Sequence, residues 1–219
     1  TVISFRGWHR RLTLGLPTVL GLRRNGFFIP YRGANAIAEA GHRESYVAVE
    51  RILSGRQDVF VGWLSALDKY SVALTNIGAA PAPDPQWTQD WFPRLDAAMA
   101  YTMVRSCCPR RIVEIGSGHS TRFFARAISD ANLDTTITAI DPQPRAYLDG
   151  LNSVKVIRKP LQEVSSAPFD ELAAGDILAI DSSHVLMPGS DVDMLLNRIL
   201  PGLPAGVLVQ VHDIFLPDD

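Results

Sequence analysis

Downstream of Pro109 the chain alternates short apolar runs with amphipathic segments, and this rhythm restricts the fold more than any other feature. Residues 112–115 (IVEI), 135–140 (TTITAI), 154–157 (VKVI), 176–180 (DILAI) and 207–211 (VLVQV) have the length and composition of buried strands. Residues 120–131 and 191–200 carry helical spacing between them. Strands separated by helical crossovers pair in parallel, so the expected fold is α/β, a doubly wound, mostly parallel sheet. Such a sheet binds ligands beyond the carboxyl ends of its strands. The residues to inspect are therefore 114–118, Asp141, Leu161, Gln162, 181–184, His212 and Asp213.

Upstream the pattern differs. Residues 1–43 read as irregular, with Arg- and Gly-containing pieces, and residues 44–77 as helical. The stretch GAAPAPDPQ, residues 78–86, reads as a linker. Thr88 is expected to cap a helix running to about residue 106, with Trp91 and Phe92 on its apolar side. The resulting division is an N-terminal segment, residues 1–86, covering the site, and a ligand-binding domain, residues 87–219. At 219 residues the chain can bury a sizeable core, and 47% hydrophobic with 20% charged residues is ordinary for a globular protein. A net charge of −2 argues against a nucleic-acid partner. No apolar run approaches the ~18 residues of a membrane span, and no signal peptide is evident, so no membrane partner is expected. Cys107 and Cys108 are adjacent, which suits reduced thiols better than a disulfide and makes no zinc spacing. The expected location is the cytoplasm.

The first strand ends in EIGSGHST, residues 114–121. A dinucleotide fingerprint wants Gly or Ala where Thr121 stands, and a phosphate loop wants a lysine that is missing here. What remains is Glu114, the glycines Gly116 and Gly118, and a second acid, Asp141, ending the next strand. Asp141 suits two ribose hydroxyls, and Glu114 suits an ammonium group. The amides of His119, Ser120 and Thr121 at a helix start suit a carboxylate, although Ser120 or Thr121 could simply cap that helix. A ligand with a nucleoside end and an amino-acid end but no pyrophosphate is S-adenosyl-L-methionine.

At these residues the chain resembles the class I SAM-dependent methyltransferases. VEIGSGHST is similar to the family's first motif, AIDPQP to its second, DILAIDSSHV to its fourth-strand motif, and LPAGVLVQVHDI to its fifth strand. The resemblance runs from about Trp91 to Asp219 and is to bacterial small-molecule enzymes rather than nucleic-acid ones. It implies a Rossmann-like fold and transfer of a methyl group from S-adenosyl-L-methionine to a small-molecule acceptor, with oxygen favoured over nitrogen. It implies adenine recognition at Leu161 and Gln162, and two further C-terminal strands that this sequence does not show. Asp181 joins the cofactor-binding set of Glu114, Gly116, Gly118, His119, Ser120, Thr121, Asp141, Leu161 and Gln162. Asp181, His212 and Asp213 stand where some relatives hold magnesium; a histidine at His212 leaves another divalent cation, or none, open. Without a metal, His184 or His212 would act as general base beside Asp181. A NAD-type oxidoreductase and a non-catalytic SAM-binding module are the alternatives, and a homo-oligomer stays open.

Overall fold

The computed structural model describes residues 5–27, 29, 32–36 and 46–214. Contacts divide the chain into two compact units, with the boundary between Ser45 and Tyr46. In the first unit, Phe5–Arg10, Arg11–Gly15 and Leu16–Val19 follow one another as helical turns, where the sequence suggested irregular chain. Leu and Arg are good helix formers, and Pro17 falls in the first turn of the last piece, where its missing N–H costs nothing.

The second unit is built on five strands: β1 (Arg111–Ile115), β2 (Thr136–Ile140), β3 (Val154–Ile157), β4 (Ile177–Ile180) and β5 (Leu208–Val211). All pairings are parallel, in the order β3-β2-β1-β4-β5. The expected strands are all present, shortened or extended by at most one residue. In register, Ile115 lies beside Ile140 and Ile180, and Ile180 beside Val211, so the carboxyl ends of the strands align. The chain runs outward from β1 to β3, then crosses to β4 on the other side of β1. That reversal opens a crevice between the tips of β1 and β4.

The sheet divides two apolar layers. On one face Ile112, Ile137 and Ile177 pack with Tyr101, Phe123 and Phe124; on the other Val113, Ile140 and Leu178 pack with Leu161 and Leu195. Full burial of each such side chain stabilises the fold by about 1.5–3 kcal/mol. Helices Val47–Ser54, Gln57–Lys69 and Ser71–Thr75 precede the 78–86 segment yet belong to this compact unit, and Trp63, Leu67 and Leu74 join the first apolar layer.

Two helix expectations need correction. The helix expected from Thr88 starts at Arg94, with Pro93 at its cap, and ends at Cys107. Proline disfavours helical backbone at the residue before it, and the Gln89 side chain holds the lead-in as a turn, accepting from the amides of Trp91 (2.9 Å) and Phe92 (2.8 Å). Trp91 and Phe92 therefore lie off the helix: Phe92 is buried and Trp91 exposed. The helix expected over residues 191–200 is regular only over Asp191–Met194, continuing as a wider turn at Leu195–Ile199 and a tighter one at Leu200–Gly202. Ser190 caps it by accepting from the Asp193 amide.

Candidate functional site

Gly116 closes β1 at φ +80°, and a Cβ there would lie 1.9 Å from the Asp181 carbonyl oxygen. Only glycine lets the tips of β1 and β4 abut so closely. Beyond them lies a cavity of about 520 Å³ lined by Gly116, Ser117, Asp141, Leu161, Gln162 and Asp181, among others. That size suits a nucleoside-sized ligand, and it gathers five of the ten expected cofactor residues.

The β2 end is locked. One Asp141 carboxylate oxygen accepts from the Ser117 amide (2.7 Å) and hydroxyl (3.1 Å), and the other from the Gln143 amide (2.7 Å). The carboxylate is thus aimed by two loops at the cavity they share, with lone-pair capacity left for a ligand hydroxyl. Leu161 is buried beneath the cavity, and the Gln162 amide donates to the Gly189 carbonyl (3.0 Å), tying the β3 loop to the β4 loop.

Glu114 lies on the other side of β1 and is 1% exposed. Ser120 donates to one of its oxygens (2.5 Å) and Thr121 to the other (2.6 Å). Burial pushes its carboxyl up to about 8, with Asp181 and Asp141 adding to the rise and the two hydroxyls opposing it. The Ser120 hydroxyl takes no part in capping the helix, but the Thr121 hydroxyl does. The cap of His119–Ala131 is Gly118, whose amide donates to the Thr121 hydroxyl (3.0 Å). Thr121 therefore joins strand, turn and helix, work that a dinucleotide loop's small residue could not do. Beside it, burial first and Arg122 second push the His119 imidazole below its ordinary value, and its Nδ1 is buried without a hydrogen-bond partner among the described residues.

The tips of β4 and β5 bring the second set together. His184 Nε2 lies 3.4 Å from Asp181 Oδ1 and 3.9 Å from Asp213 Oδ2. His212 Nδ1 lies 3.5 Å from Asp181 Oδ1 and 3.6 Å from Asp213 Oδ1, while its Nε2 lies 3.3 Å from Asp96 Oδ2. The His212 side chain is 4% exposed and its ring packs on Phe92 at 5.0 Å between centroids. None of its contacts among the described residues has hydrogen-bond geometry, so within them both buried ring nitrogens are unsatisfied. His184 (φ +58°) and Asp213 (φ +54°) both sit in the left-handed region, an arrangement that costs a non-glycine residue free energy and tends to mark functional loops. One ligand atom each from Asp181, His184 and His212 lie within 4.8 Å of one another, a geometry able to hold a cation. That set exchanges Asp213, expected from the sequence, for His184.

Four contributors went unrecognised in the sequence. Ser117 aims Asp141, and Asp96 faces His212 from the Arg94–Cys107 helix. Asp191 fixes the β4 loop by accepting from the Ser183 amide (2.8 Å) and hydroxyl (2.5 Å). Arg145 lines the cavity with its guanidinium 4.5 Å over the Trp91 ring. The serine between two glycines was the one usable signal; the others depend on long-range packing.

Residues 113–214 match a family model described as "Methyltransferase domain". No curated protein is matched by the sequence. Among solved structures, a cmcI structure with Mg-SAM is similar at 20% identity over 39% of each chain, with a TM-score of 0.31. A Plasmodium falciparum protein described as a putative protein-L-isoaspartate O-methyltransferase, in complex with S-adenosyl-L-homocysteine, is similar at 12% identity over 46% of this chain and 52% of its own, with a TM-score of 0.28. The matched regions thus span 39% and 52% of the lengths of those two chains.

Proposed function

We propose that this chain, whose residues 113–214 are a methyltransferase domain of the class I α/β fold, moves a methyl group from S-adenosyl-L-methionine to an oxygen of a small-molecule acceptor. The observation that carries the reading is the pairing of two unlike sites across one crevice: a nucleoside-sized cavity over Asp141 and Gly116, and a histidine–carboxylate cluster at Asp181, His184 and His212.

In this reading Asp141 accepts the two ribose hydroxyls, and Leu161 and Gln162 border the adenine. The amides of His119, Ser120 and Thr121, at the positive end of their helix, meet the methionine carboxylate. Glu114, reached through the Ser120 hydroxyl or directly, balances the ammonium. The acceptor oxygen attacks the sulfonium methyl in line. A carbon–oxygen bond forms as the carbon–sulfur bond breaks, its electron pair stays on sulfur, and S-adenosyl-L-homocysteine leaves. Because the cofactor arrives activated, the protein's share is alignment and removal of one proton. His184 Nε2 or His212 Nδ1 takes that proton, with Asp181 beside both nitrogens to stabilise the imidazolium.

Asp181, His184 and His212 also fit a divalent cation, since the His212 nitrogens lack hydrogen-bond partners among the described residues and one oxygen and two nitrogens are ligands of the manganese and zinc type. A cation bound there would lower the pKa of the acceptor's hydroxyl.

The test is calorimetric titration with S-adenosyl-L-homocysteine, with NAD as control, with and without EDTA. Saturable micromolar binding of S-adenosyl-L-homocysteine that Asp141→Ala abolishes is the expected result. Binding of NAD in its place would overturn the assignment and favour hydride chemistry on the same sheet.

A further inference from the structure

We infer that Asp96 is a positioning residue: it holds the buried His212 imidazole as the tautomer with its proton on Nε2, which leaves the Nδ1 lone pair facing the cluster at the tips of β4 and β5. The inference rests on the reading of that cluster as the place where methyl transfer occurs.

His212 spans two groups of carboxylates. Asp96 is at its Nε2 end (3.3 Å), and Asp181 and Asp213 are at its Nδ1 end (3.5 and 3.6 Å). A neutral imidazole has one N–H to place. If the proton sits on Nδ1, the buried Nε2 presents a lone pair to the Asp96 carboxylate at 3.3 Å. If it sits on Nε2, it faces the Asp96 carboxylate at 3.3 Å, an approach that the half-exposed Asp96 side chain can close to a hydrogen bond, and the Nδ1 lone pair is left toward the cluster. Both uses proposed for His212 need this second state, because a general base and a metal ligand each act through an unprotonated nitrogen. Asp96 is suited to the task. It lies in the first turn of the Arg94–Cys107 helix, where the helix dipole favours a negative charge. Phe92, just ahead of that helix, packs on the His212 ring at 5.0 Å between centroids with the planes tilted by 42°. The same lead-in and helix thus supply both the wall and the acceptor, and both lie outside residues 113–214, the span matched to the family.

The experiment uses the full chain with ¹⁵N-labelled histidine, its His212 ring nitrogens read by long-range proton–nitrogen correlation. A parallel zinc titration is read by calorimetry. The expected result is an Nε2–H signature for His212 in the unsubstituted protein, with or without zinc. In Asp96→Ala that signature is lost or mixed with Nδ1–H, and zinc affinity, where zinc binds, falls about 10–100-fold. Asp96→Asn, whose side-chain oxygen can still accept from Nε2, restores most of the signature. Asp96 is half exposed, so neither change threatens folding, and the retained melting temperature is checked. A His212 tautomer unchanged in Asp96→Ala overturns the inference. An absence of zinc binding with an Asp96-dependent tautomer removes the metal from the proposed function and leaves the positioning role standing, so the two failures are distinguishable.

Discussion

The two ends of the crevice are built on opposite terms. At the β1–β2 end the polar groups interlock: Glu114 takes two hydroxyls, Asp141 takes two amides and a hydroxyl, and Gly116 sits against the Asp181 carbonyl. At the β4–β5 end the closest approaches among Asp181, His184, His212 and Asp213 run from 3.4 to 3.9 Å, and the buried His212 nitrogens have no hydrogen bond among the described residues. A buried polar group left unpaired costs about 1–3 kcal/mol, so the first end stabilises the fold while the second is held in place by the rest of it. Under the proposed function, the preformed half would take the cofactor and the unsatisfied half the reacting group, the division that transfer chemistry asks for.

The contrast predicts that substitutions at the first end act on the fold and those at the second do not. Gly116→Ala should have the largest effect. Its Cβ would overlap the Asp181 carbonyl at 1.9 Å, and alanine would be held at φ +80°. A loss of about 3 kcal/mol corresponds to a melting temperature lower by about 6–12 °C for a chain of this size, and S-adenosyl-L-homocysteine binding should vanish with it. His184→Ala, by contrast, removes an exposed ring from a strained backbone position and should move the melting temperature by no more than about 2 °C in either direction, with cofactor affinity unchanged. A collapse of His184→Ala to the level of Gly116→Ala would erase the distinction between the two ends.

Glu114 sharpens the comparison through pH. Its carboxyl titrates near 8 in the folded chain and near 4.5 when unfolded, so between those values the folded state holds a proton that the unfolded state has lost. The sign follows: stability from the neutral carboxyl is full below about pH 4.5 and is lost as pH rises toward 8, by a few kcal/mol at about 1.4 kcal/mol per pH unit. Glu114→Gln should flatten that slope, read by urea unfolding at pH 5, 6, 7 and 8. If an ammonium binds near Glu114, cofactor binding at pH 7 should also release close to one proton. Calorimetry in buffers of different ionisation enthalpy would show the release in the unsubstituted chain and its absence in Glu114→Gln.

The same contrast explains what could be read from the sequence. Strands of a parallel sheet are buried on both faces, so continuous runs such as IVEI and DILAI mark their own limits, and the loops after them follow by topology. Gly116, Asp141 and Asp181 were legible because each belongs to a short local pattern. For Ser120 and Thr121 the sequence suggested backbone amides for a carboxylate, with capping as the alternative; only the structure shows a buried carboxyl claiming both hydroxyls while Thr121 also takes part in the cap. The Thr88 start yielded to Pro93, a steric veto stronger than a capping preference. Asp96 left no local signal, since its partner His212 lies far along the chain and is brought near by the packing of a helix on the sheet.

A modest effect is expected at Trp91, which bridges the lead-in segment and the cavity over Asp141. Its ring is exposed, yet the Arg145 guanidinium lies over it at 4.5 Å, and Arg145 in turn lines the cavity and donates its amide to the Ser117 carbonyl (3.3 Å). An exposed pair of this kind is worth about 0.5–1 kcal/mol. Trp91→Ala should therefore lower the melting temperature by about 1–4 °C. If the ring serves only to steady Arg145, S-adenosyl-L-homocysteine affinity should fall by about 2–5-fold, as it should in Arg145→Ala, and the double variant should lose no more than either single one. Additive losses would instead mean that Trp91 and Arg145 act on the ligand separately, and the lead-in segment would then count as part of the cofactor end.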